Sequence, residues 1–316
     1  MQSCCPSAIE LTPPLGPKKI FLATLKLCRI AAVTPRAQQV SHEKRRRSLM
    51  RVEGTWNSSG RALAATLLLV FGTEAATAAT IAGLQDGNTI VWIDTDQKKV
   101  VGSVPLADNA SLVGIDVRPS DGKLYGLTQS GIIVTIDAKT GKWEKKSQLT
   151  EALPAGATIS VDFNPVADRM RILTSSGISL RVNVDDGKAV VDGKLKYAET
   201  DTNKGRTPNV VAAGYTNSIA GTKETTLYDI DAAAGVFLKQ APPNDGILTS
   251  VGALDIKIDG PIAFDIWTDG KGANVGWLLA SGSLYSVDTA TGAAKIIGPI
   301  AGLKGQIRDI AILSEK

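Results

Sequence analysis

The chain has 316 residues, enough for one large domain or two ordinary ones, and 43% of them are hydrophobic, so a full core can be buried. The formal net charge of +4 is unevenly distributed. Residues 1–61 contain eleven Lys or Arg against three Glu, which leaves 24 basic and 28 acidic residues in the rest of the chain. The remainder is therefore mildly acidic, which argues against nucleic-acid binding through a basic patch.

All three cysteines and the single histidine lie near the N-terminus, at Cys4, Cys5, Cys28 and His42. Beyond them the chain offers no thiol nucleophile, no imidazole base and no disulfide. A Ser-His-Asp triad and zinc or copper sites of the usual kind are therefore excluded from the globular part.

The N-terminal segment has the features of an export leader. Residues 62–72 form an apolar run of about 11 residues, which is short for a membrane span but suits the apolar region of a secretory signal. Ala76-Thr77-Ala78 follows as a small-x-small cleavage site. We predict a cleavable export signal over residues 50–78 and a single folded domain over residues 79–316, with no stable membrane insertion after cleavage.

Residues 1–49 are interpreted as a leader or as a miscalled start that precedes the true initiator Met50. The pair Arg46-Arg47 resembles a twin-arginine export signal. The expected destination is the periplasm or the extracellular space. A bipartite plastid signal that leads to the thylakoid lumen is the alternative.

From Thr80 onward, short β-prone runs are separated by Gly, Asp, Asn and Pro at close intervals, which is typical of an all-β domain. One strand segment recurs five times, with anchor residues Asp116, Asp162, Tyr215, Asp265 and Asp309. The steps between the anchors are 46, 53, 50 and 44 residues. That period is typical of a four-stranded propeller blade.

A second repeated element, an apolar residue and Asp followed by a small or polar turn that ends in Gly, lies downstream of four anchors. Its copies are Ile136–Gly141, Val184–Gly187, Ile230–Gly235 and Val287–Gly292. Asp accepts backbone N–H bonds in such turns and Gly takes the positive φ, so the element predicts a hairpin. Calcium ligation by these loops is disfavoured because they lack a dense run of oxygen ligands.

The last anchor, at Asp309, has no strands after it, so its partners must come from residues 80–106. We therefore predict an all-β fold, a β-propeller of five four-stranded blades closed by pairing of the N- and C-terminal strands. Six blades are the alternative, with residues 246–259 as a partial blade of their own.

Several motifs together resemble a largely bacterial, exported family that is a domain of unknown function. They are GIDVRP at 114–119, VDFNPVADRMR at 161–171, YTNS at 215–218, TTLYDID at 225–231 and PPNDG at 242–246. The resemblance implies a propeller-like fold and export, and no established activity. Members of that family are sometimes labelled superoxide dismutases, but residues 79–316 contain no His or Cys for a Cu/Zn site, so we reject that label.

The anchor side chains are predicted to surround the propeller axis: Asp116, Asp162, Asp265 and Asp309, with Tyr215 completing the ring. Four carboxylates there would raise one another's pKa unless a cation, water or the guanidinium groups of Arg118 and Arg308 compensated them. One interpretation is an axial Ca²⁺ or a cationic ligand. The other is that each Asp ties its own blade to the next loop.

A second candidate group lies in the third repeat and comprises Arg169, Arg171, Arg181 and Asn183. These side chains could hold a carboxylate or phosphate, or could form ion pairs with Asp162 or Asp168. Asn164 and Asn217, in the turn motifs, complete the set of candidate binding residues.

Repetition without a catalytic motif favours an exported, non-catalytic binding or scaffold propeller whose partner is a small molecule or a protein on the loop faces. No cofactor other than Ca²⁺ is expected. The alternative is an enzyme, a carboxylate-based or Ca²⁺-dependent hydrolase of the glycan hydrolase or lactonase type, with its site at the axis. An open pair of axial carboxylates would favour the enzyme, and carboxylates bonded to backbone would count against it.

Overall fold

The computed structural model describes residues 79–269 and 271–313. The predicted leader and export signal, residues 1–49 and 50–78, lie outside the described residues. None of the helices within the described ranges is long and apolar enough to cross a membrane.

The described part of the chain forms 21 strands. The first eleven are β1 (Thr80–Gln85), β2 (Thr89–Asp94), β3 (Lys99–Pro105), β4 (Leu112–Arg118), β5 (Lys123–Thr128), β6 (Ile132–Ile136), β7 (Trp143–Gln148), β8 (Ile159–Asn164), β9 (Arg169–Thr174), β10 (Ser179–Val182) and β11 (Ala189–Val191). The other ten are β12 (Lys196–Tyr197), β13 (Val210–Tyr215), β14 (Leu227–Asp231), β15 (Val236–Gln240), β16 (Ile247–Ala253), β17 (Ile262–Thr268), β18 (Asn274–Ala280), β19 (Ser283–Val287), β20 (Ala294–Pro299) and β21 (Ile307–Leu313). Two single-turn 3₁₀ helices occupy Ala107–Asn109 and Pro243–Asp245.

These strands form five sheets arranged as a five-bladed β-propeller. Blade one is β21-β1-β2-β3, blade two is β4 to β7, blade three is β8 to β11, blade four is β13 to β16 and blade five is β17 to β20. Within each blade, consecutive strands pair antiparallel. The predicted five-bladed fold is confirmed, with one addition: the two-residue strand β12 pairs parallel with β16 and extends blade four to five strands.

The ring closes as predicted, because β21 from the C-terminal end pairs antiparallel with β1, with Ile81 opposite Ile312 and Gly83 opposite Ile310. This pairing completes blade one and leaves β1 paired on both sides. The six-blade alternative is wrong. β16, the strand expected to start a partial blade, pairs with β15 as an outer strand of blade four.

The hydrophobic core is divided into five clusters, each of which lies between two neighbouring blades. Tyr125 and Phe163, for example, meet edge-to-face between blades two and three with ring centroids 5.2 Å apart. Inner strands are covered on both faces, so five of the six residues of β8 are buried. Outer strands such as β3 alternate between exposed and half-buried residues because one face meets solvent.

The repeated Asp-to-Gly element forms the predicted turn, which lies between the third and fourth strands in blades two, three and five and between the second and third strands in blade four. In blade two, Asp137 Oδ1 accepts the backbone N–H of Lys139 at 2.9 Å, and Gly141 has φ +71°. In blade three the corresponding acceptor is Asn183 rather than Asp185, since Asn183 Oδ1 accepts the N–H of Asp185.

Candidate functional site

The innermost strands of the five blades, β21, β4, β8, β13 and β17, adjoin one another in a closed ring around the axis. Side chains on these strands accept hydrogen bonds from the backbone of the next blade. Asp116 Oδ2 accepts the N–H of Phe163 at 2.7 Å, and Asp162 Oδ1 accepts the N–H of Tyr215 at 3.3 Å. Each of these carboxyl groups therefore joins two blades.

The same link recurs on the other side of the ring. Asp265 Oδ2 accepts the N–H of Ile312 at 2.8 Å, which joins blade five to blade one. Asp309 Oδ2 accepts the N–H of Ile115 at 3.0 Å, which joins blade one to blade two. The four predicted anchor aspartates are therefore inter-blade links and are nearly completely buried.

The bonds accepted by Asp116, Asp162 and Asp265 define one equivalent position on each inner strand, because the donor N–H belongs to the residue after that position. The position is held by Asp116, Asp162, Gly214, Asp265 and Ala311. Tyr215 lies one residue beyond it, and Asp309, which accepts from Ile115, lies two residues before it. The predicted anchors Tyr215 and Asp309 are therefore out of register with the other three, because Gly214 and Ala311 carry no polar side chain.

Between blades four and five, the link is made by amides instead of a carboxylate. The backbone N–H of Asn217 donates to Asn274 Oδ1 at 2.8 Å, and Asn274 Nδ2 donates to Asn217 Oδ1 at 3.0 Å. Asn217, a predicted binding residue, is thus a connector in the structure.

Three axial carboxyl groups, those of Asp116, Asp162 and Asp265, place one oxygen each within 4.8 Å of one another. Burial raises the pKa of all three, and the pKa of Asp116 is raised further by the charge of Asp265. Burial likewise raises the pKa of Asp309. Like charges at this spacing repel one another away from water, which favours protonation of the cluster or a compensating cation.

Each end of the axis opens into a cavity. At the ends of the inner strands, a cavity of about 240 Å³ reaches Asp116 and Asp265 and is also lined by Ser218, Ile219 and Trp267. Asp116 and Asp265 line this cavity, and each of their carboxyl oxygens already accepts a backbone N–H.

The opposite end holds a larger cavity of about 450 Å³, which we call the mouth. All five blades contribute the residue three places before the equivalent axial position: Val113, Ile159, Val211, Ile262 and Arg308. Loop residues, among them Gln129, Thr158 and Gln306, complete the wall. Arg308 is the one charged side chain among the lining residues that the structure describes. Four of the five repeated positions look like ordinary strand residues, so this site was not among the predicted ones.

The arginine group of the third repeat does not line either axial cavity. Arg171 is 2% exposed, and its guanidinium donates to Asp192 at 2.6 Å and to Asn244 at 2.9 Å. Arg181, directly opposite Arg171 across the β9–β10 hairpin, donates to the same Asp192 at 2.7 Å. The expected ion-pair partners Asp162 and Asp168 are replaced by Asp192, and Asn244 of the PPNDG motif connects blade three to blade four.

Arg118 lies away from the axial carboxyl groups that it was expected to compensate. Its guanidinium donates to both oxygens of Asp168, at 2.8 and 2.6 Å, and so ties blade two to a turn of blade three. These bonds hold the pKa of Asp168 below its usual value. Asn164 caps the same turn by accepting two backbone N–H bonds, and Arg169 donates to backbone carbonyl groups there.

The family of the chain follows from its match over residues 89–311 to the domain of unknown function DUF4394. The chain belongs to the DUF4394 family. The predicted resemblance to a family of unknown function is thus confirmed, and membership assigns no activity.

Among curated proteins, no match is found. Among solved structures, a protein of unknown function from Bacteroides caccae is 15% identical with a TM-score of 0.39, over 76% of this chain and 100% of that chain. A protein of unknown function from Bacteroides thetaiotaomicron is 15% identical with a TM-score of 0.45, over 74% of this chain and 64% of that chain. The extracellular domain of a putative one-component system from B. thetaiotaomicron is 15% identical with a TM-score of 0.35, over 70% of this chain and 28% of that chain.

Proposed function

We propose that this DUF4394 protein is a non-catalytic binding propeller that acts outside the cytoplasm and takes its ligand at the mouth. The observation that carries the proposal is the shared contribution of all five blades to one cavity of about 450 Å³. That volume falls in the range of small-molecule sites, which are mostly apolar with a few placed polar groups. A site at the axis is also held rigidly, because five inner strands surround it.

The hydrogen bonds of the axial carboxyl groups count against the hydrolase alternative. A general base must be free to take a proton from the attacking water, and a general acid must reach the leaving group. Both oxygens of Asp116 and of Asp265 already accept backbone N–H groups, at distances of 2.6 to 2.8 Å. The geometry therefore favours structural carboxyl groups.

Filling the mouth tests the proposal. Val211→Trp should block the cavity, whereas Val190→Trp adds the same side chain to the outer strand β11, where Val190 is 52% exposed. In a fragment screen by ligand-observed NMR, we expect bound fragments whose binding is lost in Val211→Trp and kept in Val190→Trp. The absence of any bound fragment, or binding that both variants retain, would overturn the proposal.

Hydrolase activity can be tested directly on glycan and lactone substrates. We expect no turnover by the wild-type protein above that of a buffer blank. Turnover that disappears in Asp116→Asn, with the variant still folded, would replace the binding proposal by the enzyme.

A cation at the axis is the second candidate, and the close approach of three carboxyl oxygens is the observation that favours it. Asp116, Asp162 and Asp265 would supply three of the six to eight oxygen ligands that Ca²⁺ prefers. Calorimetry and thermal melting with and without a chelator would test it in wild type and in the Asp116→Asn/Asp162→Asn double variant. Calcium-dependent stabilisation that the double variant lacks would support a cation, and equal melting with and without the chelator would exclude it.

Export is proposed from the leader sequence. Expression of the full chain followed by fractionation and N-terminal sequencing should yield a secreted or periplasmic form that begins near Ala79. Recovery of the intact chain in the cytoplasm would contradict this.

A further inference from the structure

The charge of the mouth comes from a single side chain. Arg308 is exposed, and within residues 79–269 and 271–313 no carboxylate lies within 4.0 Å of its guanidinium. Three other arginines at predicted sites, Arg118, Arg171 and Arg181, are each paired with an Asp, and Arg169 donates to backbone carbonyl groups. Because the globular part has a small excess of acidic residues, an unpaired guanidinium on its axis is a local positive centre.

The guanidinium of Arg308 lies close to the β1–β2 hairpin. Gly87, in this hairpin, has φ +81°, and a Cβ atom at this residue would lie 3.5 Å from both Cζ and Nε of Arg308. The guanidinium therefore lies at about van der Waals distance from the turn. The same hypothetical Cβ would lie 2.8 Å from the carbonyl oxygen of Leu112, so the turn itself is closely packed.

The rest of the mouth wall is apolar or neutral. Val113, Ile159, Val211 and Ile262 form its repeated part, and the amides of Gln129 and Gln306 add neutral donors and acceptors. Within residues 79–269 and 271–313, the lining includes no acidic residue and no aromatic residue. A cation would thus find no counter-charge, and a sugar would find no ring to stack on.

We propose, building on the proposed function of the mouth, that its ligand is a compact apolar monocarboxylate whose carboxylate pairs with Arg308. Guanidinium and carboxylate match as two parallel N–H···O bonds. The apolar body then lies against the four aliphatic side chains that the other blades contribute. A phosphate monoester carries more charge than one arginine neutralises, so the carboxylate is the better match.

Three probes that share a cyclohexyl group and differ in their polar group test this proposal. They are cyclohexanecarboxylate, cyclohexanecarboxamide and cyclohexyl phosphate. They are measured on the full protein by calorimetry and NMR. We expect the carboxylate to bind about tenfold or more tightly than the carboxamide, since charge-assisted hydrogen bonds are stronger than those of a neutral amide. Arg308→Gln should remove that difference, and Arg308→Lys should keep part of it. Lys239→Gln removes the same charge from the exposed face of β15 and should change nothing.

The outcomes test the chemical class of the ligand and the location of its site separately. Equal binding of carboxylate and carboxamide, both abolished by Val211→Trp, would refute the anionic ligand and leave the mouth as the site. Probe binding that survives Val211→Trp, or no binding of any probe, would refute the mouth itself and with it the proposed function. Tighter binding of cyclohexyl phosphate than of the carboxylate would refute the monocarboxylate in favour of a phosphate ester.

Discussion

Two layers of the propeller axis lie one residue apart along β21 and use their polar groups in opposite ways. Asp309 is buried, and its carboxyl oxygens accept the N–H groups of Ile115 and Ile310. Arg308 is exposed in the mouth and pairs with no carboxylate among the described residues. The polar side chains of the inner layer already form hydrogen bonds that join the blades. The polar side chains of the mouth are available to a ligand. The densest cluster of charge is therefore not the best candidate site.

The buried arginine Arg171, on the second strand of blade three, provides the strongest test. Replacing Arg171 by Met should destabilise the fold by about 3–5 kcal/mol, because it removes one partner of a buried ion pair and leaves Asp192 with Arg181 alone. Asn244 would also lose its donor. Urea unfolding measures the effect, and Arg181→Met, at a side chain that is 35% exposed, is the milder matched variant. Equal losses for the two variants would show that burial does not separate them.

The contacts between blades extend to their outer edges. Two glycines with positive φ, only one of which packs against a neighbouring blade, allow the cost of backbone strain to be separated from the cost of a clash between blades. Gly141 (φ +71°) and Gly122 (φ +69°) both have positive φ. A Cβ at Gly141 would lie 2.1 Å from the carbonyl oxygen of Pro105 in blade one, and a Cβ at Gly122 would meet nothing within 4 Å. Gly122→Ala should cost about 1–2 kcal/mol for the left-handed backbone, and Gly141→Ala about 1–3 kcal/mol more. Similar chemical-denaturation midpoints for the two variants would mean that the blades can separate locally at no cost.

Neighbouring variants on β21 compare the two layers directly. Asp309→Ala should reduce the unfolding free energy by about 1–3 kcal/mol, since it leaves the buried N–H of Ile115 without an acceptor. Arg308→Ala should change it by no more than about 0.5 kcal/mol, as is usual for an exposed side chain without a structural partner. A large loss in Arg308→Ala would mean that the mouth arginine holds the fold together, and would weaken its assignment to a ligand.

Much of the fold could be predicted because its signals are local and repeated. The Asp-to-Gly turns recur with the blade period. The strand at Asp309 has no further strands after it in the sequence, so its partner strands had to come from the N-terminal end of the domain. The composition of the axial position could not be predicted in blades four and one. Gly214 and Ala311 carry no distinctive side chain, and the alignment followed the nearest polar or acidic residue, Tyr215 or Asp309.

The mouth could not be predicted for a different reason. Val113, Ile159, Val211 and Ile262 are aliphatic residues on strands, and nothing in their local sequence separates a cavity wall from a packed core. Only the closed ring brings these positions together with Arg308. Likewise, Arg171 pairs with Asp192, an outer-strand neighbour that sequence spacing did not favour over Asp162 or Asp168.

The last comparison concerns a buried carboxyl group without hydrogen-bond donors. Asp229 is 0% exposed, and neither of its oxygens has a hydrogen-bond partner among the residues that the structure describes. Burial raises the pKa of Asp229 to about 8. Its contribution to stability is then full below pH of about 4 and is lost as the pH rises toward 8, because the unfolded chain releases the proton first.

Asp229→Asn should therefore flatten the pH dependence of the unfolding free energy, by up to about 1.4 kcal/mol per pH unit between pH 5 and 8. Asp116→Asn should also flatten it, because burial and the charge of Asp265 raise the pKa of Asp116 even though backbone N–H bonds lower it. Urea unfolding across this range measures both slopes. If Asp229→Asn keeps the wild-type slope, Asp229 ionises inside the fold with a partner, and burial without hydrogen-bond donors does not set its pKa.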